Sequence, residues 1–195
     1  MIYYKTLQDR ADLYNQRYPD YPPLVCTDRW LYGMWMFGNN YRSKNGYYGE
    51  YPPSYLSRIT CLFPDCDIAL HLFSGSLKPD CGGIRFDANP ECSPDVVGDA
   101  EHLSDYFPSD FFSVVYADPP YSNEDADHYG TCMVNRNKVV SEGYKVLRVG
   151  GFLVWLDQVL PMYRKTELKM VGKIGLIRST NHRFRVVCIF QKQEV

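Results

Sequence analysis

Apolar and polar positions along the chain fall into two regimes. In the first sixty residues the pattern is either helical or broken. Tyr4, Leu7, Ala11, Tyr14 and Tyr18 recur at spacings of three or four, which predicts an amphipathic helix over residues 3–18. Residues 19–51 carry Pro22-Pro23, Gly38-Asn39-Asn40 and Asn45-Gly46 and read as irregular, despite their Trp and Tyr content. Pro52-Pro53 suits a helix start, and Tyr55, Leu56, Ile59 and Leu62 give that helix a buried face through about Phe63. From Asp67 onward, short apolar runs recur, each closed by Gly, Asp or Pro. Residues 67–73, 83–86, 95–97 and 111–117 predict four strands. A helix over about 133–148 then leads through Gly150-Gly151 into a fifth strand, 152–156. Two last strands, about 169–177 and 183–191, are joined as a hairpin through Ser179-Thr180-Asn181-His182.

Near-continuous apolar strands separated by helical stretches predict an α/β domain, its sheet mostly parallel with an antiparallel end. In such open sheets ligands bind beyond the carboxyl ends of the strands. Gly75, Asp87, Asp99 and Asp118 all fall there. The links from Gly75 to Gly83 and from Asp87 to Asp95 are short for parallel crossovers, which usually take a dozen or more residues, so loops are expected where helices would otherwise stand.

Length and composition narrow the classes. A chain of 195 residues with 45% apolar and 23% charged residues fits one globular domain. We divide it into an aromatic-rich extension, residues 1–50, and a core, residues 51–195. No apolar run approaches the roughly 20 residues of a membrane span. The first residues lack the basic-then-apolar layout of a signal peptide. Seven irregularly spaced cysteines read as reduced thiols, so a cytoplasmic protein is expected. Cys61, Cys66, Cys81 and Cys92 match no tight zinc knuckle, and no metal is expected. His71, inside a strand, reads as a hydrogen-bonded core residue. Asp157-Gln158 reads either as a helix cap or as part of a pocket wall.

Charge is asymmetric. The last 35 residues hold eight Lys/Arg against two Glu, whereas the rest of the chain is acidic, for a net charge of −2. A basic end of this kind either faces nucleic acid or is a solvated strand surface.

The tetrapeptide Asp118-Pro119-Pro120-Tyr121, directly after an apolar strand, resembles the catalytic motif of S-adenosylmethionine-dependent DNA amino-methyltransferases, which modify adenine N6 or cytosine N4. The resemblance covers roughly residues 50–192. It implies a Rossmann-like class I methyltransferase sheet, with shortened crossovers and a C-terminal antiparallel hairpin. S-adenosylmethionine is the implied cofactor. By this resemblance Phe73, Ser74 and Gly75 form the loop at the methionine end, and Tyr51 and Pro52 open the helix that closes over it. Asp87 takes the ribose hydroxyls, and Asp99 the adenine amino group of the cofactor. Asp118 and the Pro119 carbonyl accept from the target amino group, Pro120 stiffens the turn, and Tyr121 stacks on the base.

The implied substrate is DNA, adenine N6 before cytosine N4. RNA is the alternative, as is a non-catalytic nucleic-acid-binding subunit of the same fold. No insertion is long enough for a target-recognition domain. Recognition is therefore expected from Asn40 and Arg42, from His182, Arg183 and Arg185 of the basic hairpin, from a separate subunit, or from a second copy in a homodimer. Residues 30–55 are expected to pack over the cofactor end of the sheet.

Overall fold

The computed structural model describes residues 5–38, 51, 54–128, 131–178 and 184–194. Nine strands form one sheet. They are β1 (Val25–Cys26), β2 (Leu31–Phe37), β3 (Ala69–Leu72), β4 (Ile84–Asp87), β5 (Val96–Val97), β6 (Phe112–Ala117), β7 (Leu147–Asp157), β8 (Leu168–Arg178) and β9 (Phe184–Lys192). Their order across the sheet is β1-β2-β8-β9-β7-β6-β3-β4-β5. Strands β3, β4, β5, β6 and β7 run parallel, and β9 lies antiparallel between β7 and β8. This is the Rossmann-like α/β sheet with a C-terminal antiparallel hairpin that the sequence implies. From β3 the chain builds outward to β4 and β5 on one side, then returns to build β6 and β7 on the other. The switch point lies between β3 and β6.

Four helices are described: α1 (Leu7–Arg17), α2 (Tyr55–Cys61), α3 (Asn123–His128) and α4 (Arg136–Val146). Helix α1 starts at a capping box, Thr6 with Asp9. It lays Ala11 and Tyr14 onto one sheet face together with Tyr55, Ile59 and Leu62. The other face is covered by α4, through Val139, Val140 and Val146, and by a 3₁₀ turn, Ala100–Asp105. Inside the first layer Arg58 is buried, with no carboxylate partner among the described residues. Its guanidinium carbon lies 3.6 Å from the Tyr21 ring centre and 4.5 Å from that of Phe37, a cation–π cage that pins α2 to the extension.

The structure corrects the reading of residues 19–51 as irregular. Leu31–Phe37 is a strand that lengthens the sheet beyond β8, paired parallel from Leu31↔Gly172 to Phe37↔Arg178. Its alternation, Leu31, Trp35 and Phe37 buried against Tyr32, Met34 and Met36 exposed, is the period-2 signature of a half-covered strand. The flanking Pro and Gly obscured it. Strand β2 therefore sits toward the far edge of the sheet from β4 and β5, whereas Tyr51 and Ser54, later in the 30–55 stretch, reach the carboxyl end of the parallel strands. Residues 39–50, 52 and 53 lie outside the described residues.

The short crossovers are as expected. A loop joins β3 to β4, and a single 3₁₀ turn, Pro90–Cys92, precedes β5. His71 departs from expectation: it is fully buried, neither ring nitrogen has a hydrogen-bond partner among the described residues, and its ring stacks on Tyr116 at 4.9 Å. Burial pushes its pKa down to about 4. The cysteines of the described residues are free thiols, and no group of three or more His, Cys, Asp or Glu among those residues could hold a metal ion. No helix of the described residues is long and apolar enough to cross a membrane.

Candidate active site

Strand register lines up the chemistry. Leu72 of β3 pairs with Phe86 of β4 and with Ala117 of β6, and Ala117 pairs with Trp155 of β7. The residues just past these positions, namely Phe73–Gly75, Asp87, Asp118 and Asp157, are thereby level along the carboxyl edge, at the switch point. A cavity of about 820 Å³ opens there, lined by Tyr51, Phe73, Ser74, Gly75, Asp87, Asp99, Asp118, Pro119, Pro120, Tyr121 and Arg185 among others. Its volume lies within the roughly 300–1,000 Å³ typical of small-molecule sites.

The loop after β3 is strained and tied down. Phe73 has φ +58° and Gly75 φ +48°, and only the second is natural for a residue without Cβ. Asp87 holds the loop: its Oδ2 accepts from the Gly75 N–H at 2.8 Å, and its Oδ1 from the Asn89 N–H at 2.9 Å. Ser74 is buried, and its Oγ has no hydrogen-bond partner among the described residues. A buried hydroxyl left unpaired beside a cavity is satisfied when something polar enters. Asp99 lines the same cavity but also caps the following 3₁₀ turn, accepting from the Glu101 N–H at 2.8 Å.

Asp118 sits at the other end. The Tyr121 hydroxyl donates to its Oδ1. Burial pushes its pKa up to about 7, opposed by the Arg185 guanidinium and by the Tyr121 hydrogen bond. Tyr51 and Tyr55 stack at 4.9 Å nearby, and burial, with Asp118 adding to it, raises both phenols well above their usual range.

Arg185 does not face outward from the hairpin as a phosphate contact would. It is 9% exposed, and its guanidinium carbon lies 4.4 Å from the Tyr121 ring centre. Asp157 is neither a helix cap nor a wall of the cavity. It binds Arg136, whose Nη2 also donates to the Pro120 and Tyr121 carbonyls, each at 3.2 Å. Sequence reasoning missed Arg136, because only strand register brings the start of α4 beside the Asp-Pro-Pro-Tyr turn. Pro52, Asn40, Arg42, His182 and Arg183 lie outside the described residues.

No family model and no curated protein matches the chain. Among solved structures it is similar to TrmN from Thermus thermophilus, at 16% identity and TM-score 0.44, over 64% of this chain and 43% of that one. It is similar to a SAM-dependent methyltransferase from Methanosarcina mazei, at 16% identity and TM-score 0.47, over 66% and 93% of the two chains. It is also similar to the N-methyltransferase NodS from Bradyrhizobium japonicum WM9 in complex with S-adenosyl-L-homocysteine, at 13% identity and TM-score 0.43, over 66% and 79%. The match to TrmN thus spans less than half of that protein's length.

Proposed function

We propose that this chain is an S-adenosylmethionine-dependent methyltransferase acting on an exocyclic amino group of a DNA base, with adenine N6 the favoured target. The observation that carries the reading is the placement of Asp118-Pro119-Pro120-Tyr121 at the switch point, in one cavity with Ser74, Gly75, Asp87 and Asp99.

The residues present fit the cofactor. The free Ser74 hydroxyl and the positive-φ turn at Gly75 suit its methionine end. Asp87 keeps acceptor capacity for ribose hydroxyls beyond the two backbone N–H groups it holds, since an ionised carboxylate offers about four lone-pair sites. Asp99 suits the adenine amino group. When bound, the sulfonium cofactor supplies an activated methyl group and its own leaving group.

The protein contributes orientation and electrostatics. An exocyclic amino nitrogen is a poor nucleophile, because its lone pair is delocalised into the ring. Asp118 and the Pro119 carbonyl accept its two N–H bonds, favour a pyramidal nitrogen, and stabilise the positive charge that grows as nitrogen bonds to carbon and the sulfur–carbon bond breaks. One N–H proton then leaves, and the Asp118 carboxylate is the acceptor at hand. Proline's fixed φ holds the Pro119 carbonyl in place. The base reaches such a pocket unpaired or flipped out of a duplex.

The test is mass spectrometry of nucleosides from DNA treated with purified protein and S-adenosylmethionine. N6-methyladenine is expected. Methylation of RNA but not DNA would replace the substrate. Absence of S-adenosylmethionine binding by calorimetry would overturn the reading.

A further inference from the structure

We propose that Arg185 is a positioning residue for Asp118: its guanidinium, held over the Tyr121 ring, is the built-in countercharge that favours the ionised Asp118 carboxylate against its burial. This rests on the methyl-transfer reading above for its purpose, though not for its test.

Arg185 is nine-tenths buried, at the start of β9. Its Nε has no hydrogen-bond partner, and no carboxylate of the described residues forms an ion pair with it. A guanidinium in that position is costly to keep for stability alone, since burying a charge without a partner is unfavourable by several kcal/mol. Three things hold it: the Tyr121 face at 4.4 Å, the cavity it lines, and the field of Asp118. The Tyr121 hydroxyl donates to Asp118 while its ring carries Arg185, so one side chain couples cation to carboxylate.

The other groups facing Asp118 work against its charge or are already engaged. Tyr51 and Tyr55 bring apolar burial. Asp157 on β7 and Asp125 on α3 add negative charge, the first bound to Arg136 of α4. Within this set Arg185 and the Tyr121 hydroxyl are the groups that favour the ionised carboxylate. Arg185 is thereby separated from the phosphate contacts assigned to the basic hairpin.

The experiment is a carbon-13 NMR titration of the Asp118 carboxyl in ligand-free protein, for wild type, Arg185→Gln, Arg185→Met and Arg185→Lys. Arg185 and Asp118 meet on opposite parts of the same Tyr121 side chain, and removing a nearby opposite charge leaves burial to act unopposed on the carboxyl. Both neutral variants are therefore expected to raise the Asp118 midpoint by about one unit or more, and Arg185→Lys to restore most of the difference. Met fills the same space without a charge, so a folded neutral variant is available if Gln is poorly tolerated. The pH midpoint of kcat/KM for methyl transfer should move in parallel. An Asp118 midpoint unchanged in a folded neutral variant overturns the proposal. Because this titration needs no substrate, loss of the DNA-methylation reading would leave its outcome readable on its own.

Discussion

Arg136 and the buried Asp157 form an ion pair that fastens the Asp-Pro-Pro-Tyr turn from behind. Arg136 Nε donates to Asp157 Oδ2 at 2.6 Å, while its Nη2 reaches the carbonyls of Pro120 and Tyr121. Asp157 ends β7 and is only 1% exposed, so α4, β7 and the turn after β6 meet at one guanidinium. The Pro119 and Asp118 acceptors thereby stand on a rigid support, as preorganisation requires.

Arg136 is 18% exposed and Asp157 also accepts from the Gln158 and Val159 N–H groups, so losing the charged hydrogen bonds between them costs about 1.5–3 kcal/mol rather than the larger penalty of a fully buried pair. Asp157→Ala is expected to destabilise the fold by about that amount, measured by urea unfolding. Arg136→Ala exposes the same Asp157 charge and also frees two carbonyls. It should therefore lower methyl transfer at temperatures where the protein is still folded, by at least about tenfold, roughly 1.4 kcal/mol. An Arg136→Ala enzyme that is folded and fully active would show that the turn needs no such brace.

Cofactor affinity should depend on Asp87. Its carboxylate holds the Gly75 and Asn89 N–H groups of the loops after β3 and β4, and hydrogen bonds to charged groups contribute about 1.5–3 kcal/mol each. Asp87→Ala removes both the loop anchor and the proposed ribose acceptor. S-adenosylmethionine binding should weaken at least about tenfold by calorimetry. Unchanged affinity in the folded variant would remove Asp87 from the site.

Much of this arrangement was legible because its signals are local. Each strand of the parallel core is a short apolar run closed by a Gly, Asp or Pro, and several of the same closing residues, Gly75, Asp87 and Asp118, line one cavity. Two kinds of feature were hidden. Strand β2 alternates as a half-covered strand should, but the Pro and Gly around it dominate a reading by composition, and its parallel partner β8 lies about 140 residues on. Arg136, Asp157 and the inward turn of Arg185 depend on register between distant strands. For Arg185 the sequence shows only a basic residue near a hairpin, and which face of β9 it occupies is decided by pairing with β7 and β8.

His71 should make the protein acid-labile. Its folded pKa of about 4 lies below the ordinary value near 6.5, so the unfolded chain binds the proton first as pH falls. Stability contributed by the neutral buried ring is complete above about pH 6.5 and is lost progressively toward pH 4. The gap corresponds to about 2–3 kcal/mol lost by pH 4.5. His71→Phe keeps the stack on Tyr116 and removes the titration. The variant should lose that much less stability than wild type between pH 7 and pH 4.5, compared by denaturant unfolding. Equal pH slopes would show that His71 finds a partner in acid.

Asp118 makes the opposite demand on pH, and its removal separates chemistry from folding. With a folded pKa of about 7 against 3.8 unfolded, the native protein holds the proton longer, so its stability falls as pH rises between those values. Above pH 7 the ionised carboxylate stands at a cost of up to about 4 kcal/mol, an upper bound because the group is only partly buried. The proposed methyl transfer needs that costly form, since the carboxylate can both offset growing positive charge and accept a hydrogen bond. Methyl transfer to DNA should therefore climb through about pH 7 and level above it. Asp118→Asn should be more stable than wild type at pH 8, yet slower by at least about a hundredfold, because the amide can turn a donor toward the target nitrogen. Asp118→Ala should fail to the same degree, with S-adenosylmethionine affinity within a few-fold. Tyr121→Phe keeps the ring and loses the hydrogen bond to Asp118, so it should stay active at high pH while its activity midpoint moves upward. Tyr121→Ala, which loses the ring itself, should not. If folded Asp118→Ala protein methylated DNA at near the wild-type rate, the Asp-Pro-Pro-Tyr turn would be structural and the chemistry would have to lie elsewhere in the cavity.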